Sequence, residues 1–210
     1  MPKIKEPVAI VANGDYPSHS IPLNILKTSK TIVCCDGAIN NLEKNNISPS
    51  FIVGDMDSIE KALLNKYSSI CIHKANQDEN DLRKALTWLN KHNIDSVSIL
   101  AATGKREDHF ISNILSMLEI DWRKDLCFYT DHGVITLIKG KSILDSHFDQ
   151  DVSIFYIDKS IKFLTEGLKY KIDNQTLSKL YMGTLNKSIE SKITIQLSHG
   201  KALIFQSHKK

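Results

Sequence analysis

Short apolar runs alternate with segments of helical period as far as about residue 125, and past Trp122 the helical segments stop. That change of rhythm limits what the chain can fold into. Val8–Ala12, Thr31–Cys35, Phe51–Val53, Ile70–His73 and Val97–Ala101 read as strands. Between them, Ala38–Lys44, Ile59–Tyr67, Asn80–Lys91 and Asp108–Leu118 read as helices, with Leu82, Ala85, Leu86 and Leu89 at helical spacing in the third. In the last helix Phe110, Ile111, Ile114, Leu115 and Leu118 share one face. Strands joined through helices imply right-handed crossovers and a parallel, Rossmann-like sheet. Beyond it the runs Leu126–Thr130, Val134–Ile138, Val152–Ile157, Lys169–Ile172, Ile193–Leu197 and Ala202–Gln206 are strand-like, separated by turns such as Asp131-His132-Gly133 and His199-Gly200. They predict a C-terminal all-β sandwich. The boundary is expected near Lys139-Gly140, giving an α/β domain over 1–139 and a β domain over 140–210.

Composition excludes several classes of function. With 41% hydrophobic residues the chain can build a core, and its net charge of +3 comes from scattered lysines. Nucleic-acid binding calls for a basic stripe, and none is visible. No apolar run is long enough to span a membrane, and the first residues lack a signal-peptide core, so a cytoplasmic location is expected. Cys34, Cys35, Cys71 and Cys127 lack C-x-x-C spacing and sit in apolar runs, which reads as buried reduced thiols. The histidines show no metal-ligand spacing. The aromatic residues of the β part read as core packing, so none is nominated for a site.

In an open parallel sheet, ligands bind beyond the carboxyl ends of the strands. The residues just past each expected strand are therefore informative. Asp36-Gly37 comes after the second, and Gly54-Asp55-Met56-Asp57 after the third. Gln77, Asp78 and Asp81 come after the fourth, and Thr103-Gly104-Lys105-Arg106 with Asp108-His109 after the fifth. Asp55 and Asp57 can point the same way on an extended loop, and Asp78 and Asp81 share a face at a helix start. Either pair alone is explained by N-capping or a solvated turn. Together, three acidic loops and a basic one suggest a magnesium-type cation with oxygen ligands and a phosphate gripped by Arg106. The Gly104-Lys105 pair is no Walker A loop, because Ile99 and Arg106 stand where that motif needs Gly and Ser or Thr.

These segments resemble the thiamine pyrophosphokinase family. Asp36-Gly37-Ala38-Ile39-Asn40-Asn41-Leu42 is similar to its D-G-G-A-N-R-L, and Pro49–Ser58 to its P-x-x-I-V-G-D-x-D-S. Gln77–Leu86 is similar to Q-D-x-x-D-x-x-K-A-L, Ala102–His109 to A-T-G-G-R-x-D-H, and Gly167-Leu168-Lys169-Tyr170 to G-L-K-Y. The resemblance runs through nearly the whole chain in order. It implies an α/β domain with a β-sandwich, and transfer of pyrophosphate from ATP to thiamine in a homodimer. It implies magnesium near Asp55, Asp57, Asp78 and Asp81, and ATP contacts from Asp36, Gly37, Lys84, Thr103, Arg106, Asp108 and His109. It places Gln77, Asp57, Thr184 and Asn186 near thiamine.

Two positions depart from the family pattern. Lys105 stands where the pattern has glycine, and Leu185 where it has the serine of G-x-S-N. A related transferase acting on another small alcohol, such as a hydroxymethylpterin, would keep the acidic and basic loops and change the β domain. A non-catalytic nucleotide-binding module would have no need of four carboxylates on one edge.

Overall fold

A computed structural model describes residues 3–76 and 78–209. The strands are β1 (Val8–Val11), β2 (Thr31–Cys35), β3 (Phe51–Gly54), β4 (Cys71–His73), β5 (Ser96–Leu100), β6 (Asp125–Tyr129), β7 (Gly133–Ile138), β8 (Lys141–Asp145), β9 (Asp151–Phe155), β10 (Lys162–Glu166), β11 (Gln175–Thr176), β12 (Asn186–Lys187), β13 (Lys192–Leu197) and β14 (Ala202–Ser207). The helices are α1 (Ser20–Thr28), α2 (Ile39–Lys44), α3 (Lys61–Tyr67), α4 (Asp81–Asn90) and α5 (Glu107–Glu119). No helix among the described residues is long and apolar enough to cross a membrane.

The chain divides into two units, the first running to Ser116 and taking in Ile120–Asp131, the second holding Met117–Glu119 and the chain from His132 on. This division falls earlier than the Lys139-Gly140 boundary expected from the sequence. The reason is pairing: β7 lies antiparallel to β14, with Ile138 opposite Ala202 and Gly133 opposite Ser207.

In the first unit the strands run in the order β6-β5-β1-β2-β3-β4, every pair parallel. Strands β1, β2 and β3 are buried along their whole length, as expected where both faces of a parallel sheet are covered. On one face Ala9, Val11, Ile32, Cys34, Ile52 and Leu100 pack with Leu26 of α1 and Ile39 and Leu42 of α2. Strand order reverses at β1, which pairs with β2 on one side and β5 on the other. The loops after β1 and β5 therefore flank the topological switch point of the sheet.

The second unit is an antiparallel sandwich of β12-β9-β14-β7 against β11-β10-β13-β8. Its strands alternate as their period requires: in β13 Ile193, Ile195 and Leu197 are buried. With Val152, Ile154, Tyr156, Phe163 and Ile204 they make the sandwich core.

Some expectations are corrected. Lys169–Ile172 is not a strand; the strand precedes it as β10, and the chain turns at Gly167 (φ +76°). Beyond that turn the Thr165 hydroxyl accepts from Ile172 N–H at 2.9 Å. On α5, Ile111 and Leu115 are exposed, while Asn113 and Met117 are buried. Helix α1 and strands β8, β10, β11 and β12 have no counterpart among the elements expected from the sequence. The four cysteines are free thiols, Cys34 and Cys35 being buried.

Replacing Phe163, fully buried in the sandwich core, by alanine is expected to destabilise the second unit by about 3–5 kcal/mol. The fall in the urea midpoint, followed by far-ultraviolet circular dichroism, measures it.

Candidate active site

The sheet delivers its polar loops as a switch-point fold requires. At the end of β2 the chain enters a short 3-10 turn over Asp36–Ala38. Asp36 is buried; its Oδ2 accepts from the Ser58 N–H at 3.3 Å, and its Oδ1 has no hydrogen-bond partner. At the end of β3, Gly54 leaves the room that Asp36 occupies, since a Cβ there would lie 2.7 Å from the Asp36 Cβ. Asp55 and Asp57 come next, and one oxygen from each of Asp36, Asp55 and Asp57 lies within 4.8 Å of the others.

Helix α4 begins at Asp81, capped by Asn80, whose side-chain oxygen accepts from Arg83 N–H at 2.8 Å. One turn on, Lys84 is buried with its ammonium 3.0 Å from Asp55 and 3.1 Å from Asp81. It is thus spent on carboxylates rather than presented at the surface. The Asn80 amide also donates to Asn113 Oδ1 at 3.2 Å, and Asn113 donates to the Ala102 carbonyl at 3.1 Å. These amides link the start of α4, the loop after β5, and α5.

The electrostatics stem from one cation among several carboxylates. The hydrogen bond from Lys84 holds the Asp55 carboxyl down at about 2. Burial lowers the tendency of Lys84 to hold its proton, but the bonds to Asp55 and Asp81 outweigh it and the pKa rises. At Asp81, burial outweighs the bond from Lys84 and raises the pKa. Burial, with the charges of Asp81, Asp55 and Asp57 adding to it against the Ser58 N–H, pushes Asp36 up to about 7.

The basic loop lies beside β1. Ala12 N–H donates to the Leu100 carbonyl at 2.9 Å, Gly14 N–H to Ala101 at 2.7 Å, and Asp15 N–H to Thr103 at 2.8 Å. Gly104 (φ +74°) passes so close beneath the Asp15 carboxylate that a side chain there would collide with it. Lys105 also has a left-handed backbone (φ 54°), and its ammonium bonds to Asn13. Arg106 is exposed and paired with Asp108 at 2.6 Å, and Asp108 accepts from His109 N–H at 3.0 Å.

The structure thus brings together Asp36, Asp55, Asp57, Asp81 and Lys84, with Gly37 in the same 3-10 turn as Asp36. Arg106, Asp108 and His109 form a separate exposed group at the start of α5, just past Thr103. Asp78 is exposed, its N–H donating to Asn76 Oδ1 at 2.9 Å. Gln77 lies outside the described residues. In the second unit the Thr184 hydroxyl donates to the Tyr181 carbonyl at 2.8 Å. Buried Asn186 accepts from Tyr170 N–H at 3.0 Å and donates to the Tyr170 carbonyl at 2.8 Å. Sequence reasoning misses Asn13, Asp15 and Asn80 as site residues, reading Asn13-Gly14-Asp15 only as a turn after β1, whereas Asn113 fits the asparagine that follows the Ala102–His109 segment in the family pattern.

A hard divalent cation suits this donor set, which is oxygen throughout. The buried, unpartnered Asp36 Oδ1 is an acceptor that such a cation would satisfy.

Residues 23–130 match the family model described as the thiamin pyrophosphokinase catalytic domain, and residues 133–205 that of the thiamin pyrophosphokinase substrate-binding domain. The chain belongs to the thiamin pyrophosphokinase family. Among related sequences, thiamine pyrophosphokinase 1 of Oryza sativa subsp. japonica is 24% identical over 205 residues, covering 82% of this chain and 76% of that protein. Thiamine pyrophosphokinase of Bacillus subtilis (strain 168) is 36% identical over 113 residues, 51% of this chain and 52% of that protein. The fold is similar to the crystal structure of the Bacillus subtilis thiamine pyrophosphokinase, with a TM-score of 0.81 at 22% identity over 97% of this chain and 99% of that one. Against the thiamin pyrophosphokinase of Candida albicans the TM-score is 0.81 at 19% identity, covering 96% and 90%. Both family models name thiamin, so a pterin acceptor has no support from them.

The raised pKa of Asp36 fixes a pH dependence in metal-free protein. The folded state keeps a proton that the unfolded chain releases near the ordinary value of 3.8, up to about 7. The folded state binds more protons across that interval, so stability falls as pH rises through it. Asp36→Asn is expected to melt above wild type at pH 8 in the presence of a chelator, by a margin that closes toward pH 4. Paired thermal melts across that range measure it.

Proposed function

We propose that the protein transfers a pyrophosphoryl group from ATP to the primary hydroxyl of thiamine, giving thiamine diphosphate and AMP. The observation that carries this reading is the match to both family models in order along the chain, catalytic then substrate-binding. The carboxylates gathered at the ends of β2 and β3 and the start of α4 support it.

Asp36, Asp55 and Asp57 would hold a magnesium ion, with Asp78 and Asp81 contributing from the α4 side. Bound there, the ion would neutralise charge on the phosphates of ATP. The remaining work falls to the chain. Transfer of this kind depends mainly on positioning and charge complementarity. Arg106 exchanges its exposed partner Asp108 for phosphate oxygens, which its planar guanidinium can grip in pairs. Lys84 keeps Asp55 ionised and fixes its direction. Asp57, exposed on its loop, or Asp81, raised by burial, accepts the thiamine hydroxyl proton as that oxygen attacks the β-phosphorus and AMP leaves. The acidic edge attracts thiamine, which is a cation.

The second unit supplies the thiamine-binding and dimerisation surface in this reading. Tyr170 is 61% exposed, Tyr181 66%, Met182 51% and Leu185 86%. Large apolar side chains at such exposure mark a surface that a partner covers, and a second copy is that partner. The four free thiols accord with a cytoplasmic location.

Purified protein with ATP, magnesium and thiamine should release AMP and thiamine diphosphate in equal amounts; ADP as product would contradict the reading. Asp55→Asn is expected to lower kcat about a hundredfold or more while circular dichroism stays unchanged. Leu185→Glu is expected to shift the sedimentation coefficient from dimer toward monomer.

A further inference from the structure

The loops after β1 and β5 are joined by a contact that the reaction as described leaves unused. Lys105 holds a left-handed backbone, φ 54°, a conformation costly for a residue with a Cβ. Its ammonium donates to the Asn13 carbonyl at 2.8 Å and to Asn13 Oδ1 at 3.0 Å. No carboxylate among the described residues pairs with it. Because β1 and β5 flank the switch point, the bond joins the two loops at the sheet edge where ligands of this fold class bind.

Asn13 carries the contact onward. With Oδ1 committed to Lys105, its Nδ2 faces Gly37, where a Cβ would lie only 2.7 Å from it. A side chain at residue 37 would remove that seat. Gly37 adjoins Asp36, whose buried Oδ1 has no partner. Lys105, Asn13 and the Asp36–Gly37 turn thus form a line from the basic loop to the acidic cluster.

We propose that Lys105 is a positioning residue, acting through Asn13, that holds the Asp36–Gly37 turn in the geometry the acidic cluster needs to receive a divalent cation. The role rests on the pyrophosphokinase reading of the site and deepens it. Lys105 stands where the family pattern quoted in the sequence analysis has glycine.

The charge of Lys105 and its positioning act in opposite directions on cation binding, and this makes the proposal decidable. Removing a nearby positive charge by itself tightens binding of a cation. Loosening the turn that carries a ligand weakens it. Manganese binding by the protein alone, read from the electron paramagnetic resonance of free ion, separates the two without reference to turnover. Lys105→Met removes the ammonium and keeps the stem, while Lys105→Gly also relieves the left-handed backbone and so guards against a folding failure. Both are expected to weaken manganese binding about three- to tenfold, the scale of a lost solvent-exposed, charge-assisted hydrogen bond. Asn13→Ala should weaken it similarly, and the double variant no further. In the magnesium-dependent reaction, KM for ATP should rise in these variants with kcat within about twofold of wild type.

Unchanged or tighter manganese binding would overturn the proposal. So would effects of Lys105→Met and Asn13→Ala on KM that simply add, which would make Lys105 a direct phosphate contact. Absence of turnover in wild type would remove the transferase reading and leave the metal-binding test standing.

Discussion

The ammonium of Lys84, buried between Asp55 and Asp81, anchors the polar end of the sheet. A buried charge persists only where opposite charge and hydrogen bonds meet it. Lys84 can sit there because α4 starts beside the end of β3 and brings it one turn in. The carboxylates can then crowd: Asp36 fits against the bare Gly54, and Asp55 and Asp57 stand within reach of its oxygens. One ammonium does not balance four carboxylates. The proton that Asp36 retains toward neutral pH is how the metal-free cluster relieves the excess, and a divalent cation is how a working one would.

Much of this was legible because parallel sheets write themselves plainly. Strands buried on both faces appear as apolar runs, as β1, β2 and β3 do, and β5, though partly exposed, is marked by Val97 and Ile99–Ala101; all four lie within a residue of where the sequence puts them. The acidic loops came from the rule that ligands meet strand ends. Less visible were elements whose local signal is weak. Helix α1 opens with Ser20-Ile21-Pro22, and its cap is a histidine side chain accepting from Ile21 N–H at 3.2 Å; Pro22 is tolerated because first-turn N–H groups need no helical partner. Strand β8 has no fully buried residue, and β10 is flanked by charge at Lys162 and Glu166. The run Lys169–Ile172 has strand composition, but the left-handed turn at Gly167 takes it out of the ladder. Contacts such as Lys84 with Asp55, or Lys105 with Asn13, depend on tertiary placement that sequence spacing does not carry.

In the sandwich one side chain also shapes the backbone around it. Asn186 sits where the family resemblance implies a substrate contact, yet its amide pairs with both peptide groups of Tyr170, much as a strand neighbour would. Its neighbour Leu185 is left-handed (φ 61°) and almost fully exposed. Buried amide and projecting side chains are therefore parts of one arrangement, in which the former sets the backbone from which the latter emerge.

The position of β1 has a consequence for how the molecule comes into being. Its partner β2 is close in sequence, so β1, β2 and β3 can associate while most of the chain is still being made. Its other partner, β5, begins at Ser96, and that long separation must be closed against chain entropy before β1 gains its second neighbour. The crevice between the two loops comes into existence only at that closure. Nascent or partly unfolded chains that keep the early strands would have the acidic turns without the β5 loop beside them.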